Sequence, residues 1–249
     1  MPAASFRVYG ALNDFLSPAR RQGTLVCAFV PGTRVKDLVE ALGVPHVEID
    51  RIAVDGALVG FDYVVRDGDR VAIYPAFGTF ELGDEGRLSP PPQTHTRFVA
   101  DVHLGRLAAF LRLTGFDTAY SNDCADRELA RISASEDRTL LTRDAGVLKH
   151  RIVTRGYFVR ETRPARQLVE VSRRFALARR MAPFSRCLRC NATLKAVTRD
   201  EVVDRLPPRT RELHTAFSSC AGCGRVYWEG SHHAQMTRLL EAAAAAADR

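Results

Sequence analysis

No stretch of the sequence approaches the ~20 uninterrupted apolar residues that cross a bilayer, so a membrane span is not expected. The first residues, MPAASFRVYGALNDF, lack a cationic start followed by an apolar run, so no secretory leader is expected and the protein is assigned to the cytoplasm. Lysine is scarce, three of 36 basic residues; that bias fits a GC-rich genome and carries no function. Internal repeats are absent too. What is not lacking is apolar mass. With 46% apolar and 26% charged residues, the chain has enough to build cores, which excludes disorder as its main state. A length of 249 residues suggests two or three domains.

Charge divides the chain. Residues 1–90 carry nine basic and twelve acidic side chains, whereas residues 91–249 carry 27 and 17. A basic C-terminal portion suggests a polyanionic partner, although an Arg-rich solvated surface would look the same. Gly83–His95, GDEGRLSPPPQTH, has the composition of an extended, semi-rigid linker, and a second boundary is expected near Ala182–Pro183. The expected units are 1–82, a Pro-rich linker 83–95, a unit 96–182, and a C-terminal unit 183–249 that ends in an Ala-rich helix.

In the first unit, Phe6–Tyr9, Leu25–Val30, Arg51–Val54, Leu58–Val59 and Arg70–Tyr74 have strand composition. Thr33 is the expected N-cap of a helix with Val35, Leu38, Val39 and Leu42 on one face. Asp55-Gly56 marks a tight turn. Strands around one helix over about 80 residues have the arrangement of a ubiquitin-like β-grasp, a natural site for a protein partner. VDGALV and RDGDRVAIYPAFG also resemble the sulfur-carrier branch of that fold. Those carriers work through a flexible diglycine C-terminus. Here the strand runs on into Phe77-Gly78-Thr79-Phe80, which argues against a carrier and for an accessory or protein-contact module.

The middle unit alternates strands and helices, the pattern of a parallel α/β sheet. Arg97–Ala100 ends in Asp101, and Thr139–Thr142 is followed by Arg143-Asp144. Asp126 opens the helix Asp126–Ser133, and His103–Thr114 is amphipathic. Ligands in open parallel sheets bind beyond the carboxyl ends of the strands, where Asp101, Asp126 and Asp144 are expected to meet. Clustered carboxylates need a cation; their hard oxygens suit Mg²⁺ or Mn²⁺, which can activate water for attack on a phosphodiester. Helix capping is the competing explanation, and for Asp126 it suffices alone. Asp123, Glu128, Asp137 and Glu161 are candidates for a fourth ligand, with Glu128 ranked first. His103 reads as a surface or capping residue.

Cys187-Leu-Arg-Cys190 and Cys220-Ala-Gly-Cys223-Gly are two C-x₂-C knuckles separated by 29 residues. Four thiolates in two such pairs give tetrahedral Zn²⁺, structural because no coordination position remains open for water. The separation leaves room for an inserted hairpin or helix, and Gly222 and Gly224 ease the turn. Redox chemistry is the rival reading, and two knuckles together are better explained by zinc. Cys27 reads as core, and Cys124 needs no role; His232 and His233 could add a ligand to a shell already complete. Arg173, Arg174, Arg179 and Arg180 lie on a basic helix expected to run from Pro164 to about Arg180, where they can track the phosphates of single-stranded RNA. Tyr227 and Trp228 could stack on a base, but packing in the ribbon core is the favoured role for Trp228.

FVADVHLGRLAAFLRLTGFDTAY, DRELARISASEDRTLLTRD, the YFVR strand and the RQLVEV helix resemble the PIN-like Mut-seven C-terminal RNase domain, over about residues 96–182. That resemblance implies a metal-dependent ribonuclease fold, with the family's acidic residues falling on Asp101, Asp126 and Asp144. A ubiquitin-like segment often precedes such a domain in bacteria. The fold class expected is therefore α/β: a β-grasp, a PIN-like parallel-sheet domain and a zinc ribbon. The function expected is hydrolysis of RNA phosphodiester bonds. The alternative is a non-catalytic adaptor that binds RNA or protein, with its carboxylates serving only as caps.

Overall fold

A computed structural model describes residues 1–76, 85–90, 96–230 and 233–247. Phe77–Phe80, His232 and parts of the linker (83, 84 and 91–95) lie outside them. In chain order the described elements are β1 (Ala3–Val8), β2 (Thr24–Ala28), α1 (Val35–Ala41), β3 (Ile49–Val54), β4 (Ala57–Val59), β5 (Arg70–Pro75) and β6 (Phe98–Ala100). Next come α2 (Gly105–Leu113), β7 (Thr118–Tyr120), α3 (Asp126–Ser135), β8 (Thr139–Thr142), α4 (Ala145–Leu148), β9 (Gly156–Phe158) and α5 (Pro164–Arg174). The last are β10 (Leu194–Val197), α6 (Pro208–Leu213), β11 (Phe217–Cys220), β12 (Val226–Trp228) and α7 (His233–Ala247). The elements fall into two units, one of Met1–His95 with Ala125–Phe158, the other of Thr96–Cys124 with Val159–Arg249.

The first unit opens with a five-stranded sheet in the order β2-β1-β5-β3-β4. β1 and β5 run parallel at its centre and the other pairs are antiparallel, the β-grasp arrangement. Alternation explains the packing: Ala4, Phe6 and Val8 turn inward from β1 and meet Val35 and Val39 of α1 in one core. Asp55 (φ 49°) and Gly56 (φ 90°) both sit in the left-handed region, as a two-residue hairpin turn between β3 and β4 requires. Thr33 does not cap α1. Its hydroxyl donates to the Val30 carbonyl at 2.6 Å inside the preceding turn, and Arg34 occupies the cap position.

The described linker residues do more than span a gap. Leu88 packs against the β-grasp core and donates its N–H to Asp50 O at 2.7 Å. The Asp50 carboxylate, 2% exposed, accepts from Arg51 (2.7 Å), Arg87 (3.4 Å) and the Ser89 hydroxyl. Burying that charge is tolerable because three donors surround it.

Within the same unit β8 and β9 form a parallel pair. His46 and Lys149 stitch this segment to the β-grasp, donating to Val153 O and Glu40 O at 2.9 Å each. Glu48 accepts from the Phe158 N–H, and the rings of Phe15 and Phe158 meet edge to face at 5.2 Å.

In the second unit β6 and β7 are also parallel, and α2 packs against them and against α5. Phe98 lies among Phe116 and Phe175. Helix α5 is shorter than its composition suggests. Ala176 adopts φ 48°, Ala176 N–H bonds to Arg173 O, and Leu177 N–H bonds back to Ser172 O at 2.9 Å. This pattern is a Schellman closure, and it turns Leu177 into the core. Arg179 and Arg180 therefore sit on a separate short turn, Ala178–Arg180.

The ribbon is an antiparallel three-stranded sheet, β10-β11-β12, over a small core of Val202, Leu206 and Phe217. The turn Val203–Arg205 and helix α6 occupy the long interval between the two cysteine pairs. Among the described residues, no helix is long and apolar enough to cross a membrane.

Candidate metal centres and nucleic-acid surface

Each knuckle is a tight backbone turn that needs a residue tolerant of positive φ. Asn191 (φ 70°) serves the first pair and Gly224 (φ 71°) the second. Space is tight at Gly222: a Cβ there would lie 3.0 Å from Ala192 Cβ and 3.3 Å from Cys190 Sγ. The turns bring Cys187, Cys190, Cys220 and Cys223 together with all four sulfurs within 4.8 Å of one another. Cys187 and Cys223 are 3.6 Å apart, and Cys190 and Cys220 3.3 Å. Tetrahedral zinc with ~2.3 Å Zn–S bonds needs sulfur separations of about 3.8 Å, so the donor set fits and the cluster can hold a metal such as zinc.

One of the four thiols, Cys187, is already polarised for ligation. Burial opposes ionisation of Cys187, but hydrogen bonds from Tyr227 and from the Cys190 and Arg189 amides bring it down to about 6. Cys190 accepts from the Ala192 amide, which favours its thiolate, yet its neighbouring sulfurs push it up to about 12. Four adjacent sulfurs cannot all ionise without a cation to share, which is the electrostatic reason for a divalent metal here. Tyr227 was not expected in this role: its hydroxyl lies 3.1 Å from Cys187 Sγ and accepts from Leu188 N–H at 3.2 Å.

Arg112 ties the first knuckle to the α/β layer and could not have been found by spacing. It is 4% exposed, donates from Nε to Thr118 O of β7 at 2.9 Å, and from a terminal nitrogen to Leu188 O (3.0 Å) and Arg189 O (2.9 Å). Asn191 adds a clasp, accepting from Thr118 N–H at 3.0 Å and donating to Asp117 at 2.7 Å. Arg112→Met keeps the stem but leaves three carbonyls without donors. We expect it to cost about 3 kcal/mol in chemical denaturation and to speed zinc release in a colorimetric assay. Unchanged stability and release would show that the knuckle stands without it.

The carboxylates are placed as follows. Asp101 directly follows β6 and is 3% exposed. Asp126 is exposed and is the first residue of α3; the cap position belongs to Ala125, so capping does not account for it. Asp144 follows β8 after one residue and is the N-cap of α4, accepting from Gly146 N–H at 2.6 Å. Glu128 is held by Arg131, whose guanidinium donates to both of its oxygens at 2.7 and 2.6 Å and keeps the carboxyl below its ordinary range. Asp137 pairs with Arg155 at 3.0 Å, and Asp123 with the Ser121 hydroxyl.

The four arginines expected to meet RNA are all exposed. Arg173 and Arg174 end α5, Arg174 lying over the Phe175 ring at 5.4 Å, and Arg180 donates to Phe175 O at 3.0 Å.

Residues 1–81 match the Mut7-C ubiquitin family. Residues 96–240 match the Mut7-C RNAse domain, a match that runs past residue 182 and through both cysteine pairs. No curated protein and no solved structure gives a match. With the second match covering more than half of the chain, this protein belongs to the Mut7-C RNAse domain family and carries a Mut7-C ubiquitin domain ahead of it.

Proposed function

We propose that the protein is a cytoplasmic, divalent-metal-dependent ribonuclease acting on single-stranded RNA. Membership of the Mut7-C RNAse domain family is the observation that carries this reading. The proposed ligands of Mg²⁺ or Mn²⁺ are Asp101, Asp126 and Asp144, three hard oxygen donors suited to either ion. Asp101 directly follows a strand of the parallel sheet, the edge at which ligands of such sheets bind. Bound there, the ion would supply activated water and neutralise charge on the phosphodiester. Glu128 is the fourth candidate, on condition that it exchanges Arg131 for the ion. Zinc on Cys187, Cys190, Cys220 and Cys223 is structural in this reading. Arg173, Arg174, Arg179 and Arg180 draw in the RNA backbone, and the β-grasp contacts a protein partner.

The test is cleavage of labelled single-stranded RNA by zinc-loaded protein, with and without Mg²⁺ or Mn²⁺. Turnover only with added ion is expected. RNA binding without turnover under both conditions would establish the adaptor instead, and a preference for single-stranded DNA would change the substrate.

A further inference from the structure

A second site emerges on the ribbon, on the side of Tyr227 and Trp228 that borders helix α6 and Met236. A cleft of about 670 Å³ is walled by Tyr227, Trp228, His214 and Met236, with Arg209 and Arg225 among its lining. Among the described residues, no carboxylate lines it. Arg209 and Arg225 are exposed, and neither forms an ion pair among the described residues. Trp228 is only partly packed against the core of Val202, Leu206 and Phe217, and its indole N–H has no acceptor among the described residues. The Tyr227 hydroxyl is committed to Cys187 and Leu188, which fixes that ring beside the metal cluster.

Two unpaired guanidiniums around an aromatic wall, without an acid, match a ligand that is anionic and flat by turns. Unpaired nucleotides have that character, whereas a duplex hides the faces of its bases. An acidic peptide would satisfy the arginines but gain little from the indole face. We propose that this cleft is a contact site for single-stranded RNA, in which one base stacks on Trp228 and the adjoining phosphates pair with Arg209 and Arg225. The choice of RNA as the strand rests on the ribonuclease reading; the cleft chemistry does not.

Trp228 is the only tryptophan of the chain, so its emission reports on this cleft alone. Zinc-loaded Asp144→Asn protein, without Mg²⁺ or Mn²⁺, is titrated with a short uridine oligonucleotide. Saturable quenching is expected. The double variant Arg209→Glu/Arg225→Glu, on exposed positions outside the ribbon core, is expected to bind at least about 10-fold more weakly and to lower the salt dependence by a slope of about 1.4. Trp228→Leu is expected to lose roughly 5- to 100-fold in affinity while Trp228→Phe, which keeps a ring, retains most of it. Thermal melts of each variant check folding.

The proposal is overturned if anisotropy of a labelled oligonucleotide reports binding while the emission and the charge reversal do nothing. Absence of any binding overturns it as well, and equal quenching by a polyglutamate peptide reassigns the cleft to a protein. Wild-type cleavage with a silent Trp228 removes the cleft and leaves the nuclease; quenching with no wild-type cleavage does the reverse.

Discussion

Removing zinc with a strong chelator is expected to unfold the ribbon and lower the melting temperature by about 10–20 °C, with one zinc per chain found beforehand by elemental analysis. Among the described residues the apolar core beneath β10–β12 is Val202, Leu206 and Phe217, with Val197, Val226 and Trp228 partly buried against it, too little to hold the ribbon strands by hydrophobic burial alone. A four-thiolate zinc site contributes roughly 10–16 kcal/mol in small zinc domains, so the metal dominates the local balance. The effect should spread, because Arg112 shares its donors between Thr118 and the knuckle carbonyls of Leu188 and Arg189. Cys187→Ser should reproduce the loss: it replaces a buried sulfur of the cluster, the atom facing the Tyr227 hydroxyl, by a neutral alcohol that binds zinc poorly. A chelated protein that melts at its original temperature would refute the structural role of the cluster.

The second large effect is catalytic. If Asp144 holds the ion as proposed, Asp144→Asn is expected to reduce metal-dependent cleavage at least about 100-fold, because outer-shell substitutions at metal sites already cost 10–100-fold and this one would remove the charge of a proposed ligand. Its stability should hardly change. Asn caps helices as well as Asp, so the bond from Gly146 N–H survives the substitution. Asp144→Ala should lose cleavage to the same extent and, in addition, about 1 kcal/mol of stability. The pair separates the two roles of this residue. Full cleavage by Asp144→Asn alongside a destabilised Asp144→Ala would reduce Asp144 to a cap. A quiet Asp101→Asn would then remove the acidic site altogether.

These two expectations differ in how early they could be reached. The four-cysteine cluster is legible from spacing alone because both cysteines of each pair lie on one tight turn. Local backbone geometry decides their separation, and a glycine or asparagine marks where that turn needs positive φ. The β-grasp was legible for a similar reason: alternation along β1 and an Asp-Gly turn are short-range signals. Helix ends were less so. Thr33 has the right chemistry for a cap, but a carbonyl three residues back captured its hydroxyl. The basic helix stopped early because Leu177 gains more from entering the core than α5 gains from another turn.

What the chain alone determined is therefore its inventory and local grammar: the knuckles, the β-grasp strands, acids at strand and helix ends, and a basic C-terminal portion. Tertiary structure decided which distant groups share a hydrogen bond. Arg112 reaches residues 76 and 77 positions away, and His46 reaches Val153 across 107. No periodicity encodes such pairs. A buried donor takes whichever carbonyl close packing presents, since leaving it unpaired in a low-dielectric interior costs more than any local preference can repay.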